Sequence, residues 1–340
     1  MPACRFVQVF LGALLLTGCV GPRHPWPALS DEAIAVERGL IAERRFARQM
    51  EDAERLHRVS WPLLRAIAED LPEVRQRQAI GIRWMHAADV PNNLASGGLS
   101  TEGLTIVSVA PQSPADLADL AVGDVVLEIN GERVPTGAGA ALPGGRLMAS
   151  ALGEGARASV VFLRDGSRMQ VDLVGVAIAD FNVGQRNDHR VNARALPRRI
   201  QLNEGMLRFV RNEEELAFVV AHELAHSVMR HHRAIAWNAI VGTLADVGVI
   251  AAGGLSPGFG GVVGGLKRLP EFEREADLLA LRWMQLAGFE VREALDFWPR
   301  LAARSDRERR ENLWLPTHPP VAERQALMRH IAEAGATLLD

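Results

Sequence analysis

The segment His222-Glu223-Leu224-Ala225-His226 constrains this chain more than any other part of its sequence. Successive residues of an α-helix are about 100° apart, so residues four apart lie on one face. A helix therefore presents both imidazoles to one point, where they can bind a single metal ion. Zn²⁺ accepts imidazole nitrogens readily, and a reactive zinc site leaves one coordination position open for water. Glu223 lies beside that point, where its carboxylate can accept a proton from the water.

The residues before this motif predict the helix that carries it, over residues 212–232. Asn212 is a favourable N-cap, Glu215 stands at the capping-box position, and three acids in the first turn suit the helix dipole. The polar triplet is surrounded by the apolar residues Leu216, Val219, Val220 and Leu224. A solvent-facing helix with a chance HExxH match, the alternative, fits this apolar surrounding poorly.

A third ligand is expected from a second helix that begins near Pro270. Glu273 and Asp277 are four residues apart and therefore share a face of that helix. We expect Glu273 to bind the metal and Asp277 to hydrogen-bond a ligand histidine, which fixes the histidine's tautomer. Glu271 and Glu275 are expected to face water.

Several ordered motifs resemble peptidase family 48, the HtpX and CAAX-prenyl-protease type of zinc metallopeptidase. They are HELAH in its helix, EREAD at residues 273–277, VNARALP at residues 191–197 and PTHPP at residues 316–320. The resemblance covers residues 180–335 and implies a mainly helical, zincin-like domain with one Zn²⁺ per chain.

The resemblance also implies a role for each residue of the site. His222, His226 and Glu273 would bind zinc, Glu223 would be the general base, and Asp277 would hold a ligand in place. The implied activity is the hydrolysis of peptide bonds within protein substrates.

The segment around VNARALP departs from the family's pattern. Arg194 replaces a large apolar residue, and Arg198 and Arg199 replace glycines, which bears on substrate preference rather than on chemistry. Residues 200–203 alternate in character like a strand. In the resembling family such a strand borders the cleft, where an extended substrate can pair with its edge.

The oxyanion formed during peptide hydrolysis also needs a stabilising group. Many zinc peptidases use a tyrosine, and this chain contains none. His318, on a proline-rich loop, is the leading candidate: it would either donate to the oxyanion or act as a latch on the metal's open position. A loop histidine without a role is the alternative. His231 and His232 are expected to serve the C-terminal dipole of the first helix.

The N-terminus predicts a lipoprotein signal peptide over residues 1–18. Residues 6–16 form an apolar core too short to span a membrane as a mature helix, and Arg5 is the only charge of the leader. The segment LTGC at residues 16–19 resembles a bacterial lipobox, which would make Cys19 the lipidated first residue, followed by a tether to residue 30. An ordinary signal peptide with a chance cysteine is the alternative.

The expected location is the periplasm of a Gram-negative cell. Val20 is not the aspartate that retains lipoproteins in the inner membrane, so an outer-membrane anchor is favoured. The net charge of -3 indicates no nucleic-acid partner. Cys4 leaves with the leader and Cys19 carries lipid, so no disulfide is expected.

Two further regions precede the peptidase domain in what we predict to be an α+β multidomain protein. Residues 31–77 have helical periodicity, and Pro62 is expected to kink or divide them. Residues 78–176 are rich in strands and resemble a PDZ domain, which takes an extended peptide as an added strand. Gly81-Ile82 is the nearest match to its carboxylate-binding loop, and Gly97-Gly98-Leu99 is the competing match.

An apolar region at residues 234–266 separates the two ligand helices. Residues 247–266 carry no charge, but eight glycines and Pro257 argue against a membrane span. The preferred interpretation is a glycine-rich hairpin over the cleft or against lipid. A buried helix followed by a loop is the alternative.

Together these features predict a lipid-anchored zinc endopeptidase that acts on unfolded or misassembled envelope proteins and binds peptide tails at its PDZ-like domain. A PDZ scaffold or chaperone with a latched or silent metal site is the alternative. A prenyl-protein processing enzyme would need several membrane spans, which the sequence pattern does not indicate.

Overall fold

The computed structural model describes residues 27, 29–91, 94, 98–153, 155–252, 269–304, 318 and 322–334. Within α-helices, the side chains of residues 232, 242 and 246–249 lie outside this description. The expected signal peptide and lipidated Cys19 also lie outside the described residues.

The first element is a single helix, α1 (Asp31–Asp70), whose N-cap Ser30 accepts a hydrogen bond from the Ala33 amide at 3.1 Å. The expected division at Pro62 is wrong, because the helix runs through it. A proline removes one backbone donor from a helix, and here the flanking Trp61 and Leu63 are buried, so packing compensates for the loss.

The PDZ-like region follows as an open sheet with the strand order β2-β3-β4-β6-β7, and β5 pairs with β4. Its elements are β2 (Ile82–Met85), β3 (Leu104–Val109), α2 (Pro114–Leu117), β4 (Val125–Ile129), β5 (Glu132–Arg133), α3 (Ala141–Gly153), β6 (Arg157–Arg164) and β7 (Ser167–Val174). Asn130-Gly131 and Asp165-Gly166 form tight turns in which every φ is positive, as the sequence predicts for hairpins. The region has its own apolar core, which includes Leu104, Ile106, Val126, Ile129 and Val160.

A two-stranded ribbon joins this region to the rest of the chain. β1 (Gln76–Ala79) enters the PDZ-like region and β8 (Val176–Ala179) leaves it, and the two pair antiparallel. Both ends of the region are therefore held at one place beside α1.

The peptidase region begins with a three-stranded sheet in the order β10-β11-β9. These strands are β9 (Asn182–Arg186), β10 (Ala193–Leu196) and β11 (Arg199–Asn203). The expected strand at residues 200–203 is confirmed as β11, but its expected edge position is wrong, because β11 pairs with β10 on one side and with β9 on the other. The edge of this sheet that contacts α5 is β10.

Helices complete the region: α4 (Glu204–Phe209), α5 (Glu213–Val228), α6 (His231–Ala251), α7 (Leu269–Leu286), α8 (Phe297–Ala302) and α9 (Ala322–Ala334). Their core is continuous with the buried half of α1, since Leu56, Leu63 and Ile67 belong to the same apolar cluster as Phe218 and Trp283. The mixed α and β architecture, with a helical peptidase region and a strand-rich PDZ-like region, confirms the expected fold class.

The expected glycine-rich hairpin at residues 234–266 is wrong over its first part, which is the helix α6. The buried helix of the alternative is also wrong, because Trp237 and Leu244 are 64% and 63% exposed. The glycines that favoured a hairpin cluster after residue 252, and residues 253–268 lie outside the description. Among the described helices, none combines the length and hydrophobicity needed to cross a membrane.

Candidate metal centre

Helix α5 carries the site and begins as its sequence predicts. The Asn212 side chain accepts a hydrogen bond from the Glu215 amide at 2.8 Å. Glu215 is buried, accepts from the Arg211 amide at 2.8 Å and pairs with Arg300 of α8. The helix ends at Val228, four residues earlier than expected. Every residue from 215 to 226 is buried, so the polar triplet lies inside the protein.

The imidazoles of His222 and His226 converge on one point, with their Nε2 atoms 3.1 Å apart. Glu273 of α7 approaches the same point, with Oε1 3.3 Å from Nε2 of His226 and Oε2 3.5 Å from Nε2 of His222. Together with His318, these residues offer ligand atoms that all lie within 4.8 Å of one another. The structure thus brings the three expected metal ligands together, two from α5 and one from α7.

These donors fit a metal ion. Both Glu273 oxygens are buried and make no hydrogen bond of ordinary geometry to the described residues, although Nη1 of Arg324 lies 3.2 Å from Oε2. Burial lowers the pKa of His226 to about 4, which leaves its nitrogen lone pair available. Burial opposes protonation of His222, but its bonds to Asp277 and Glu273 prevail and raise its pKa to about 9. A metal ion bound between the two histidines would displace the proton that His222 carries.

Asp277 occupies the supporting position expected for it. Its Oδ1 lies 3.0 Å from Nδ1 of His222, so the carboxylate can fix the orientation of that ring. Arg324 of α9 binds Asp277 in a bidentate manner, at 2.6 and 2.7 Å, and stacks 4.3 Å from the centroid of the Trp298 ring. Burial raises the pKa of Asp277, but the hydrogen bonds from Arg324 outweigh it and hold the pKa below its usual value.

His231 supports the other ligand, contrary to expectation. It does not serve the α5 dipole but lies buried with its Nδ1 2.9 Å from Nδ1 of His226. Its Nε2 is 2.9 Å from Oε2 of Glu275, and its ring stacks on Phe272. The reason is local: α5 ends early, and Arg230 takes a left-handed φ of 57° that turns the chain back toward the site. Glu275, which was expected to face water, therefore contacts the His231 ring.

His318 also lies close to the three expected metal ligands. Its Nε2 lies 3.8 Å from Oε1 of Glu223 and 3.9 Å from Oε1 of Glu273. The ring is buried, and burial lowers its pKa well below the usual value, so it faces the centre as a neutral imidazole. Glu223 is buried beside the same point.

Two family models match this chain. The model of peptidase family M48 matches residues 172–332, and a PDZ-domain model matches residues 105–141. The β-barrel assembly-enhancing protease of Yersinia pestis is 28% identical over an alignment of 148 residues, and the match covers 39% of this chain and 30% of that protein. The match therefore spans less than a third of that relative's length.

Solved structures show weaker likenesses. The HtrA-type protease AlgW with decapeptide is 23% identical, over 30% of each chain, with a TM-score of 0.24. A serine endoprotease from Yersinia pestis is 22% identical over 28% of this chain and 30% of its own, with a TM-score of 0.18. At TM-scores this low, neither likeness adds to the description of the fold.

Substituting Arg324 tests the support of the site. In Arg324→Ala the buried Asp277 carboxylate loses its bidentate partner, and we expect the free energy of unfolding to fall by roughly 3–5 kcal/mol. Arg329→Ala, an exposed position on the same helix, should change it by about 0.5 kcal/mol or less. Urea unfolding followed by circular dichroism measures both. Equal stability of the two variants would contradict the role given to Arg324.

The matched M48 region contains α5, α7 and α9, the helices that bring the histidines, the carboxylates and Arg324 together. The PDZ match lies within the open sheet that precedes it. The motif resemblance, the model match and the buried His-His-Glu cluster agree. Residues 172–332, which hold the metal centre, are therefore similar to peptidase family M48, and residues 105–141 ahead of them are similar to a PDZ domain.

Proposed function

We propose that this protein is a zinc-dependent endopeptidase that cleaves unfolded or misassembled envelope proteins. The observation that carries the proposal is the buried convergence of His222, His226 and Glu273 beside the carboxylate of Glu223. Two imidazole nitrogens and a carboxylate are the ligands of a catalytic zinc site. The relative from Yersinia pestis, named for enhancing β-barrel assembly, supports envelope proteins as the substrate class.

The residues divide the chemistry between them. A zinc ion held by the three ligands would activate a water molecule for attack on a peptide carbonyl. Glu223 would accept the proton of the attacking water and later donate it to the nitrogen of the leaving amine. Asp277 and His231 keep the two ligand rings oriented from behind.

We expect strand β10 to bind the substrate. It is an edge of its sheet and packs beside α5, where the Ser227 hydroxyl donates to the Leu196 carbonyl at 3.4 Å. A substrate added in extended form along β10 would run past the metal centre. Main-chain pairing recognises backbone rather than sequence, so we expect cleavage to tolerate many sequences.

His318 acts as a latch in this proposal. Its neutral ring lies within the same cluster as the three ligands, where a fourth protein ligand would occupy the position that a reactive zinc site leaves open. Withdrawal of the His318 ring from this position would admit substrate. Stabilisation of the oxyanion by His318 is the competing role. If His318 blocked the metal site permanently, the protein would act as a PDZ scaffold or chaperone instead of a peptidase.

The first test compares wild type with Glu223→Gln, both lacking residues 1–19. Each should bind about one zinc, and only the wild type should cleave unfolded β-casein, with a loss of at least about 10²-fold in the variant. Glu214→Gln, the same change in the first turn of α5, is the control and should retain activity. Stripping zinc with a chelator should abolish cleavage, and adding zinc should restore it. Full cleavage by Glu223→Gln would sink the assignment.

A second test separates the two roles of His318. If His318 is a latch, His318→Ala should cleave β-casein faster than the wild type because the open position is freed. If it stabilises the oxyanion, the rate should fall about 10²-fold or more. Initial rates at equal zinc content decide between these outcomes. His330→Ala, an exposed histidine on α9, serves as the matched control.

We also propose that Cys19 is lipidated and anchors the protein to the periplasmic face of the outer membrane. The support is the lipobox-like segment and Val20 in the sequence. In a Gram-negative host, Cys19→Ser should move the protein from the membrane fraction to the soluble fraction. The same distribution of both forms, measured by fractionation and immunoblot, would exclude lipid anchoring.

A further inference from the structure

Strand β7 forms one end of the PDZ-like sheet, and its outer side is open. It pairs with β6 over all eight of its residues, without a register shift. No other strand in the described part of the chain pairs with it. The opposite end of the sheet is β2, whose Arg83 donates to the Val183 carbonyl of the peptidase sheet. β7 is therefore the edge of this sheet that lies farthest from its contact with the peptidase region.

The sequence of β7 does little to protect this edge from another strand. Natural edge strands are commonly guarded by short length, a proline, a β-bulge or charged side chains. β7 is long, contains no proline and has no bulge against β6. All of its residues are exposed except Val171 and Leu173, and Met169 is 42% exposed. Only the charges of Arg168 and Asp172 remain as a guard, and they discriminate between partners.

The backbone of Ser159 on β6 shows how the β6–β7 hairpin is bonded. The Ser159 amide donates to the Asn130 side chain at 2.7 Å, and the Ser159 carbonyl accepts from the Asn130 amide at 2.8 Å. Both groups therefore point away from β7. Because Ser159 lies opposite Asp172, this pair exchanges no backbone hydrogen bonds.

The same reasoning identifies the backbone groups that face the open side of β7. Bonded and non-bonded pairs alternate along an antiparallel ladder. Arg168 and Gln170 stand four and two residues before Asp172, so their pairs with β6 are also non-bonded. These three residues therefore direct their amides and carbonyls away from β6, where a further strand could bind them.

The side chains of these three residues share the outer face of the sheet. Alternate residues of a strand lie on one face, and Leu173, on the other face, belongs to the apolar core. Arg168 is 56% exposed in its side chain and reaches Glu128 of β4 at 2.8 Å. Asp172 is exposed and has no cation within salt-bridge distance among the residues that the structure describes.

The order of these residues is complementary to itself. In two β7 strands that pair antiparallel about a two-fold axis at Gln170, Arg168 of each copy lies opposite Asp172 of the other. Gln170 lies opposite its own copy, and its amide can both donate and accept. On the other face, Met169 lies opposite Val171, which adds an apolar contact. Opposite charges thus meet twice, and like charges do not meet.

We propose that β7 is the contact surface for a second copy of this chain, which pairs antiparallel with it about a two-fold axis at Gln170. The two PDZ-like sheets join into one continuous sheet through about six backbone hydrogen bonds, two for each of the three facing pairs. The contact uses no residue of the metal centre, of β2 or of β10. It goes beyond the proposed peptidase function and does not rest on it.

The size of the contact sets its expected strength. Two paired edge strands bury less surface than the roughly 1,200–2,000 Å² of a standard protein interface. We therefore expect a reversible dimer with a dissociation constant on the order of 10 µM.

The first test is sedimentation equilibrium of the zinc-loaded Glu223→Gln protein lacking residues 1–19, which does not digest itself if Glu223 is the general base. Over about 1–200 µM, the average mass should rise from that of one chain toward that of two. A single chain at every concentration would overturn the inference.

Charge variants in the same background test the register. Asp172→Arg and Arg168→Asp each place like charges opposite each other twice, and each should weaken the dimer at least about tenfold. An equimolar mixture of the two variants restores both opposite-charge contacts, so it should form a heterodimer. Glu132→Arg and Arg133→Asp make the same charge changes on exposed β5 and should leave the dimer unchanged.

A cross-link at the axis tests the contact without altering either charge. The two cysteines of the sequence, Cys4 and Cys19, are absent from the protein lacking residues 1–19. Gln170→Cys in that protein should therefore be joined into a covalent dimer by a short bismaleimide. Glu132→Cys, the matched control on β5, should remain a single chain.

Three further outcomes would overturn the inference. They are a dimer that both charge variants leave intact, folded variants that fail to associate when mixed, and a dimer in which Gln170→Cys does not cross-link. Circular dichroism establishes that each variant is folded. If a charge variant does not fold, the Gln170→Cys result decides. Cleavage of β-casein by the wild type is measured separately, so failure of the peptidase proposal is distinguishable from failure of the dimer.

Discussion

The burial of helix α5 is the constraint on which the rest of this structure depends. Its apolar residues place it at the centre of the core, and they carry His222, Glu223 and His226 inside with them. Buried ionisable groups are costly unless they are paired or bind a metal. Neighbouring elements therefore supply partners for these buried groups. Together these residues form the candidate metal centre.

These pairings also hold the surrounding helices in place. α7 provides Glu273 and Asp277, and α9 provides Arg324, which binds both carboxylates. At the start of α5, Arg300 of α8 pairs with buried Glu215. The two histidines of the site are supported differently. The Asp277–Arg324 pair supports His222, whereas His231 and Glu275 support His226. Pairing of the buried charges and packing of the helices therefore depend on each other. Removing one partner of a buried pair would leave the other as an unpaired charge in an apolar surrounding.

The PDZ-like region is tied to this core by more than its covalent links. The β1–β8 ribbon fixes both its ends beside α1, and the Arg83 side chain of β2 donates a hydrogen bond to the Val183 carbonyl of β9. The buried half of α1 belongs to the peptidase core, so the helical segment that precedes the PDZ-like region is structurally part of the domain that follows it. Peptide binding is expected at the PDZ-like region and peptide cleavage is proposed at the metal centre, two separate places on one connected framework.

The sequence by itself determined the features that depend only on residues close together in the chain. The spacing of His222 and His226 and of Glu273 and Asp277, the N-cap Asn212 and the Asn130-Gly131 turn all follow from helix periodicity, capping and turn stereochemistry. The tertiary structure decided which residues from distant parts of the chain contact these features. Arg324 is 47 residues from Asp277, β10 rather than β11 forms the free edge, and His231 contacts both His226 and Glu275. Periodicity reports contacts within one element, whereas these pairings depend on how separate elements pack. Trp237 and Leu244 of α6 are apolar but exposed, so hydrophobicity alone does not decide burial.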